Sequence, residues 1–519
     1  MSTHRKLVRS AGIIGSLTGV SRILGFVRDL VIAAAFGTGL GAEAFVVSFK
    51  LPNLLRDLVG EGAANAAFVP VLTECRENRP KEFWRLVSTL FCVMTAILTF
   101  LAVMGVVFAP AVVRLIAPGF VHSADPDKFP LTVTLTRVIF PYILLIGLSA
   151  LAMGVLNTLK EFTASAFGPI LLNLSMIAAG LFLEDRFGPM ALVMGVLLGG
   201  VLQLGCQVPP LIKSGFKFMK PVFGDPGAHK IAKLLIPRAF GSALYQINVF
   251  VDSILASFES VIGPGGQSAL YYSNRLFQLP LAIFGISLAQ AILPTFSAQA
   301  VKNDLKGMKE TLVVVSRSLA FVTLPAAAGL IALARPIVHI IFERGKFDAY
   351  STGITSSALF FYAFGLLSCC LIKILVNAFY AMQDTRTPVK IMCVSVSLNV
   401  ALSVALMWPL KIGGLALASS ISATVNLFLL YRALRARIGP LGAAAAARDL
   451  VKILGSAVVM GLFAFAYGRF VLVPRAEAGS GLQAAFLAAG IAASVAVYFA
   501  VAYAAGVPEA RKIAAWKRA

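Results

Sequence analysis

Long apolar segments follow one another along almost the whole chain, and they limit what this sequence can fold into. Hydrophobic residues make up 59% of the 519 residues and charged residues only 13%, with a mean hydropathy of +0.87. Soluble proteins are about half apolar and a quarter charged, so this chain has too little polar surface to face water on all sides. A spanning helix needs about 20 mostly apolar residues. The sequence therefore predicts an all-α polytopic membrane protein.

Fourteen apolar segments, each bounded by charged residues or by Gly and Pro, are candidates for transmembrane helices. They are 10–36, 43–74, 86–116, 130–159, 163–184, 188–212, 231–258, 267–298, 311–342, 350–382, 388–409, 413–434, 450–470 and 482–506. The segments are too long and too uniformly apolar for the strands of a membrane barrel, so we expect helices.

The net charge of +22 could indicate a nucleic-acid partner, but the positions of the basic residues argue against one. Of the 45 Lys and Arg residues, 28 lie in alternate loops, near the ends of the spans that these loops join, or at the termini. The other loops hold seven, namely Lys128, Arg186, Arg344, Lys346, Lys411, Arg469 and Arg475. By the positive-inside rule, both termini are predicted to be cytoplasmic. Most of the positive charge therefore sets topology, and we expect no nucleic-acid partner.

The remaining ten basic residues lie within the predicted spans: Arg22, Arg28, Lys50, Arg56, Arg114, Arg137, Arg238, Arg275, Arg335 and Lys373. Each charge inside a membrane costs at least about 2.5–3.5 kcal/mol, so these positions need a physical reason. Snorkelling from near a helix end accounts for four of them, Arg114, Arg137, Arg238 and Arg335. It fails for Arg22, which is about 18 Å into the first span at 1.5 Å per residue, and for Arg56 at a similar depth in the second.

Uncompensated cations at membrane depth indicate a wet cavity that receives an anion. Arginine suits phosphate because its planar fork bonds phosphate oxygens bidentately. The acids within the spans are fewer than the cations, and comprise Asp29, Glu43, Asp57, Glu61 and Asp252. Pairing within one helix can therefore neutralise only some of the cations. A structural network of buried ion pairs is the alternative explanation.

An internal repeat divides the chain. Residues 44–51 of the second span match residues 269–276 of the eighth, and Asp29 of the first span matches Asp252 of the seventh. An offset of about 225 residues predicts two parallel, pseudo-symmetric six-helix lobes, an arrangement typical of transporters. The predicted regions are an N-lobe at 1–212, a cytoplasmic linker at 213–230, a C-lobe at 231–437, and a C-terminal region at 438–519. The last region contains the two extra helices and a basic tail.

Several motifs occur in a family-like order and spacing. They are Ser21-Arg22-Ile-Leu-Gly25-Phe-Val-Arg28-Asp29 and the segments 49–56, 61–70, 271–276, 373–380 and 383–390. Together they resemble the MurJ (MviN) lipid II flippases of the multidrug/oligosaccharidyl-lipid/polysaccharide (MOP) exporter superfamily. The resemblance covers essentially the whole chain.

This resemblance implies a transporter of the bacterial inner membrane. It would move lipid II, the undecaprenyl-pyrophosphate-linked peptidoglycan precursor, to the outer leaflet by alternating access. Membrane lipids and the cell-wall synthesis machinery are the other expected partners. The resemblance further implies that the last two spans form a groove for the polyprenyl tail. The candidate cavity residues are Arg22, Arg28, Arg56, Arg275 and Lys373, together with Lys50 and Glu43.

Ion coupling is a further expectation. Some members of the family bind sodium, and Asp252 and Asn399 fit that pattern, whereas Ser403 stands in place of a carboxylate. Coupling through these three residues to a monovalent cation, either sodium or a proton, is therefore expected, with no other cofactor and no metal site beyond it.

Three alternatives remain open at this point. An exporter of another polyprenyl-linked glycan would share the cationic cavity, whereas an exporter of cationic drugs fits poorly because a basic cavity repels cations. A membrane enzyme acting on polyprenyl phosphates would need carboxylate clusters with a metal, or a His-based nucleophile. The sequence has no Asp-x-Asp motif, no paired histidines and no Gly-rich phosphate loop. We therefore expect a transporter without catalytic residues.

Overall fold

The computed structural model describes residues 3–56, 63–440, 443–473 and 479–516. Within helices it describes the backbone alone at 3–14, 55–56, 63–66, 236–245, 247, 443–447, 480 and 515–516. The described residues form helices and connecting turns, with no strand among them. The predicted all-α class is confirmed.

The chain forms two compact units. Unit 1 comprises Met1–Ser260 together with Arg344–Phe347, and unit 2 comprises Val261–Glu343 with Asp348–Ala519. The described helices of unit 1 are α1 (Thr3–Phe36), α2 (Leu40–Arg56), α3 (Ala63–Asn78), α4 (Phe83–Val107), α5 (Ala109–Ile116), α6 (Lys128–Ile139), α7 (Tyr142–Thr158), α8 (Thr163–Phe182), α9 (Glu184–Phe187), α10 (Met190–Gly205), α11 (Val208–Lys213) and α12 (Pro226–Ala256). A short helix, α13 (Glu259–Ile262), lies where the two units divide.

The described helices of unit 2 are α14 (Gly266–Pro280), α15 (Ser287–Val301), α16 (Leu305–Ala332), α17 (Ala334–Phe342), α18 (Ala349–Ala363), α19 (Leu366–Ala381), α20 (Arg386–Leu410), α21 (Ile412–Ile438), α22 (Ala443–Tyr467), α23 (Ser480–Ala504) and α24 (Pro508–Trp516). Wider π-helical turns follow α14 at Leu281–Ile286 and α22 at Gly468–Leu472.

Each of the fourteen predicted spans overlaps described helices. By length and hydropathy, ten stretches of helix in the described residues could cross a membrane, or eleven if the bent pair α18 and α19 forms one span. The chain is therefore a multi-pass membrane protein. The count of fourteen stays a prediction.

Breaks within the helices follow the sequence repeat. The break between α4 and α5 at Phe108 and the break between α16 and α17 at Leu333 recur at the offset of 225 residues. The break at Phe140 after α6 likewise matches the 46° bend at Phe364 after α18. These paired interruptions support two parallel repeats, because the same local geometry returns at the same spacing.

The bend before α19 shows how a broken membrane helix keeps its backbone groups satisfied. Gly365 lies against Ser420, whose Oγ would be only 2.9 Å from a Cβ at that position. The Ser420 hydroxyl donates a hydrogen bond of 2.7 Å to the carbonyl of Phe361, in the last turn of α18. A neighbouring side chain thus binds a carbonyl at the break, as is required where water is excluded.

The compact units divide after Ser260, so α12 belongs to unit 1. Its first turns pack on α3, with Ile231 in a core formed with Phe68 and Leu72. Lys230 donates to Glu74 at 2.6 Å. The lobe and linker limits predicted from the repeat remain predictions, and the segment 214–225 between α11 and α12 has fixed contacts described below.

Candidate substrate site

Arg28 of α1 is buried and has partners. Its Nε and Nη2 donate to Asp29 Oδ1 at 3.1 and 2.7 Å, and its Nη1 donates to Asn173 Oδ1 of α8 at 3.1 Å. The Asn173 amide in turn donates to the carbonyl of Ser21 at 3.0 Å, and Gly25 faces this amide. Asp29 therefore compensates the charge of Arg28, which is thus one of the cations neutralised within its own helix.

The other cations predicted in the first two spans differ in their surroundings. Arg22 is exposed on α1, and Lys50 on α2 is half-buried. Lys50 lies close enough to Asp252 of α12 for electrostatic attraction. Arg56 ends α2, and its side chain lies outside the described part of the structure. The acids at 57 and 61 also lie outside the described residues.

Glu43 belongs to a buried ion cluster. Lys128, at the start of α6, donates to both Glu43 and Glu259, and its ammonium lies 4.4 Å from the centroid of the Phe120 ring. Glu259 also accepts from Ser123 at 2.5 Å. Sequence analysis placed Lys128 in a loop, but its side chain is almost fully buried. A buried ammonium requires such partners because desolvation costs several kcal/mol per ion.

In unit 2, Arg275 of α14 lies over an aromatic ring. Its guanidinium carbon is 4.8 Å from the centroid of Tyr271, and its Nη2 donates to the Tyr271 hydroxyl at 3.2 Å. Stacking on an aromatic face holds the guanidinium plane without neutralising its charge. Lys373 of α19 is exposed. Four residues later, Asn377 donates to the carbonyl of Ala289 at 2.6 Å and ties α19 to α15.

The residues expected to bind a coupling cation are divided between the units. Asp252 is in unit 1, whereas Asn399 and Ser403 are on α20 of unit 2. Asn399 is buried, donates to Ser419 of α21 at 3.0 Å, and accepts from Ser403 at 3.4 Å. Among the described residues, no group of three or more His, Cys, Asp or Glu side chains could hold a metal ion.

Unit 2 contains an apolar cavity of about 460 Å³. Its walls come from α14 and the π turn after it, from α16 and α17, and from α22 and α23. Two lining residues have hydroxyls, and both bond inside the protein: Ser494 donates to the carbonyl of Gly490, and Tyr498 to that of Phe321. The wall therefore offers little but hydrocarbon, and it suits an apolar chain.

One turn before Phe321, an ion network joins three helices. Arg317 of α16 donates from Nε to Glu509 of α24 at 2.5 Å and from Nη1 to Asp449 of α22 at 3.0 Å. All three side chains are largely buried. The network fastens α22 and α24 to the helix that lines the cavity.

Sequence reasoning missed Asn173, Lys128, Glu259 and the Arg317 network. Most of these contacts join residues more than a hundred positions apart, so local spacing carried no signal for them. The repeat did carry one signal, since Asn173 and Asn399 are separated by about the same offset as Asp29 and Asp252 in a repeated architecture.

The helices of this chain adopt the fold of a class of membrane transporters. A solved structure of a multidrug resistance MATE family transporter of the MOP superfamily, in its inward-facing conformation, has a TM-score of 0.68 at 15% identity. It covers 82% of this chain and 96% of that chain, which shows a shared fold.

More specific matches follow. The model of the family "Lipid II flippase MurJ" matches residues 32–479. Probable lipid II flippases MurJ of Vibrio cholerae and Rhizobium meliloti are 38% and 34% identical, with 84% of both chains covered in the first case and 96% and 94% in the second. A lipid II flippase MurJ structure in the inward closed conformation has a TM-score of 0.76 at 26% identity, covering 94% of this chain and 98% of that chain. This chain belongs to the MurJ lipid II flippase family.

Proposed function

We propose that this protein flips lipid II from the inner to the outer leaflet of the bacterial inner membrane. Both termini face the cytoplasm, as the distribution of basic residues predicts. The protein relocates its substrate unchanged and is not an enzyme. Family membership over most of the chain supports the substrate, and the described side chains support a molecule with an anionic head and an apolar tail.

The observation that carries the proposal is the double role of one helix in unit 2. Arg275 of α14 presents a guanidinium, and five residues later Pro280 lines the apolar cavity. On an ideal helix, these positions are about 140° and roughly 8 Å apart. One face of α14 thus offers a phosphate ligand, while the opposite face borders a space for hydrocarbon. A pyrophosphate head with a polyprenyl tail matches this division.

The residues proposed to bind the head group are the cations Arg22, Arg28, Lys50, Arg56, Arg275 and Lys373. Arginine forks bind pyrophosphate oxygens bidentately. In this proposal Glu43 does not contact the anion, because its carboxylate forms an ion pair with Lys128.

The polyprenyl tail would remain in hydrocarbon throughout transport. Moving it into a wet cavity would forfeit its favourable apolar solvation. The cavity between α16 and α23, whose two lining hydroxyls are already hydrogen-bonded, would hold part of the polyprenyl tail while the head group moves. Alternating access would then expose the head-group site to one side of the membrane at a time.

Coupling to a cation gradient is part of the proposal. Asp252 would take a proton or sodium, with Asn399 and Ser403 as neutral partners. The membrane potential, negative inside, contributes about 2.3 kcal/mol per charge per 100 mV and would favour the return of an empty cationic site.

The test is lipid II accessibility in cells depleted of the protein. Labelled lipid II should accumulate inside and be lost from the outward-facing pool, and re-expression of the wild-type chain should restore it. The recovered lipid must be chemically unchanged. An undiminished outward-facing pool after depletion, or a chemically modified lipid, would overturn the proposal. Cell-wall synthesis enzymes that consume the flipped lipid are the proposed partners on the outer side.

A further inference from the structure

The segment between α11 and α12, residues 214–225, has an unusual surface, and we name it the strap. Lys213 directly precedes the strap, and Lys217 and Lys220 alternate with aromatic residues along it. No acidic residue occurs in the strap before Asp225. Phe218 and Phe223 are 65% and 76% exposed. The strap therefore presents phenyl rings and ammonium groups together on its open side.

Hydrogen bonds fix the strap to α4. The N–H of Met219 donates to the Ser88 hydroxyl and the N–H of Val222 to the Thr89 hydroxyl, both at 3.0 Å. Ser88 and Thr89 are fully buried. Phe216 points the other way, with its ring centroid 5.6 Å from that of Trp84. The outward position of Phe218 and Phe223 is thus set by the fold, because the backbone between them is bonded.

The anchor points place the strap at the membrane boundary. Helix α4 is one of the ten stretches apolar enough to span a membrane, and it begins at Phe83. Ser88 and Thr89 lie roughly 8 Å along it at 1.5 Å per residue. Interfacial segments typically bury their apolar side chains about 5–10 Å into the boundary between headgroups and acyl chains. Because its backbone is bonded to residues near the start of this span, the strap holds its exposed phenyl rings within reach of that boundary.

The charge of the strap selects among lipids. Its lysines follow the predicted sixth span on the cytoplasmic side, a placement that rests on the orientation in the proposed function. Asp225 is a single buried carboxylate against three lysines, and it accepts from Gly227 N at 2.7 Å at the start of α12. A lysine near an anionic leaflet gains about 1 kcal/mol, and aromatic rings favour the interface.

We propose that the strap is a binding site for anionic phospholipids of the inner leaflet. Phe218 and Phe223 enter the acyl boundary, and Lys213, Lys217 and Lys220 bind the lipid phosphates. The site uses none of the cations assigned to the lipid II head group.

The test uses the full-length protein in nanodiscs with a reporter in the strap, Phe223→Trp, and the fluorescence of the protein without it is subtracted. Brominated phosphatidylglycerol should quench this tryptophan more strongly than brominated phosphatidylcholine at equal content. K217Q/K220Q in the reporter background should reduce the preference by about five-fold for each lysine, the equivalent of about 1 kcal/mol per charge. No preference for phosphatidylglycerol, or an unchanged one in K217Q/K220Q, would overturn the proposal.

A matched control removes two lysines elsewhere on the same predicted side. K302Q/K306Q, at the end of α15 and in the first turn of α16, should leave quenching at the strap unchanged. An equal loss of quenching in this control would show a general surface-charge effect and overturn the proposal. Phosphatidylcholine discs carrying undecaprenyl pyrophosphate form a further arm. If the fluorescence of the reporter tryptophan changed with undecaprenyl pyrophosphate but not with phosphatidylglycerol, the strap would be a substrate-capture site and the assignment would be overturned. Since lipid II is absent from every arm, failure here leaves the flipping proposal untouched.

Discussion

Helices α1 and α12 are equivalent in the sequence repeat, and each has an aspartate at the corresponding position. The surroundings of these two carboxylates differ. In α1, Arg28 directly precedes Asp29 and bonds to it twice. In α12, the apolar Val251 precedes Asp252, and the nearby positive charge comes from Lys50 on α2. The first carboxylate bonds to a cation of its own helix, whereas the second lies near a cation of another helix.

The asparagines at repeat-equivalent positions differ in the same way. Asn173 accepts from the guanidinium of Arg28, but Asn399 donates to the hydroxyl of Ser419 and has only neutral partners among its described hydrogen bonds. A charge held by adjacent residues persists when helices shift, since both groups move together. Attraction between two helices can be broken by motion or by a competing cation. The comparison therefore assigns a fixed structural charge to α1 and an adjustable one to α12.

The largest expected effect is at Arg275, whose guanidinium lies over the ring of Tyr271 and donates to its hydroxyl. Arg275→Ala should reduce lipid II transport at least about thirty-fold, because losing a desolvated contact to a charged group costs about 2–5 kcal/mol. Arg22→Ala should behave alike. Arg275→Lys should recover only part of the activity, since a point charge lacks the bidentate fork. Transport into the outer leaflet of proteoliposomes measures this, with membrane insertion checked in parallel.

Tyr271→Phe provides the matched control. It keeps the ring under the guanidinium and removes only the hydroxyl that accepts from Arg275. Near-normal transport in this variant, with loss in Arg275→Ala, would assign the effect to the substrate contact. Normal growth with Arg275→Ala as the sole copy would contradict the assignment.

The second prediction separates structure from binding at Arg28. Arg28→Ala leaves Asp29 buried without its guanidinium, and breaking such a pair costs about 3–5 kcal/mol, so the amount of folded protein should fall. The double variant R28A/D29N removes the stranded charge and should restore folding. Transport should remain low if Arg28 also binds the head group. Thermal stability in detergent and transport are the two measurements, and full recovery of transport in the double variant would make Arg28 purely structural.

Sequence reasoning reached the fold more completely than the site. Apolar runs and alternating loop charge predicted where the helices lie, because both follow directly from the membrane as solvent. The interruptions at Leu333 and Phe364 were missed, since a run such as 311–342 remains apolar across its break. Hydropathy indicates which residues lie in lipid, and it carries no information on where a helix bends within an apolar run.

The site was predicted as a set of residue types and not as contacts. Depth in the span marked Arg28 as unusual, but its partner Asn173 lies 145 positions away. Lys128 was counted with the loops because it lies just before the predicted span 130–159. At such a position, the sequence alone does not distinguish a solvated lysine from one that binds two carboxylates. Tertiary pairing decides both cases.

The third prediction concerns the adjustable charge. If Asp252 couples transport to an ion gradient, Asp252→Asn should slow transport several-fold while leaving lipid II binding nearly unchanged, because the head group is held by the arginines. Transport should also lose its dependence on the imposed proton or sodium gradient. Equal loss of binding and transport would argue against coupling, and an undiminished rate would make Asp252 structural.

The smallest effects are expected where the repeat places exposed arginines at corresponding breaks. Arg114 lies on α5 with its guanidinium carbon 5.6 Å from the centroid of the Phe129 ring, and Arg335 lies on α17; both are exposed. We expect Arg114→Ala and Arg335→Ala to retain most transport, because a snorkelling side chain keeps its charge in water and contributes mainly its aliphatic stem. Complementation of a depleted strain at graded expression would detect losses of even a few-fold. Loss as severe as in Arg22→Ala would show that the head-group site extends to these helix breaks, and the division into fixed and adjustable charges would then have to include them.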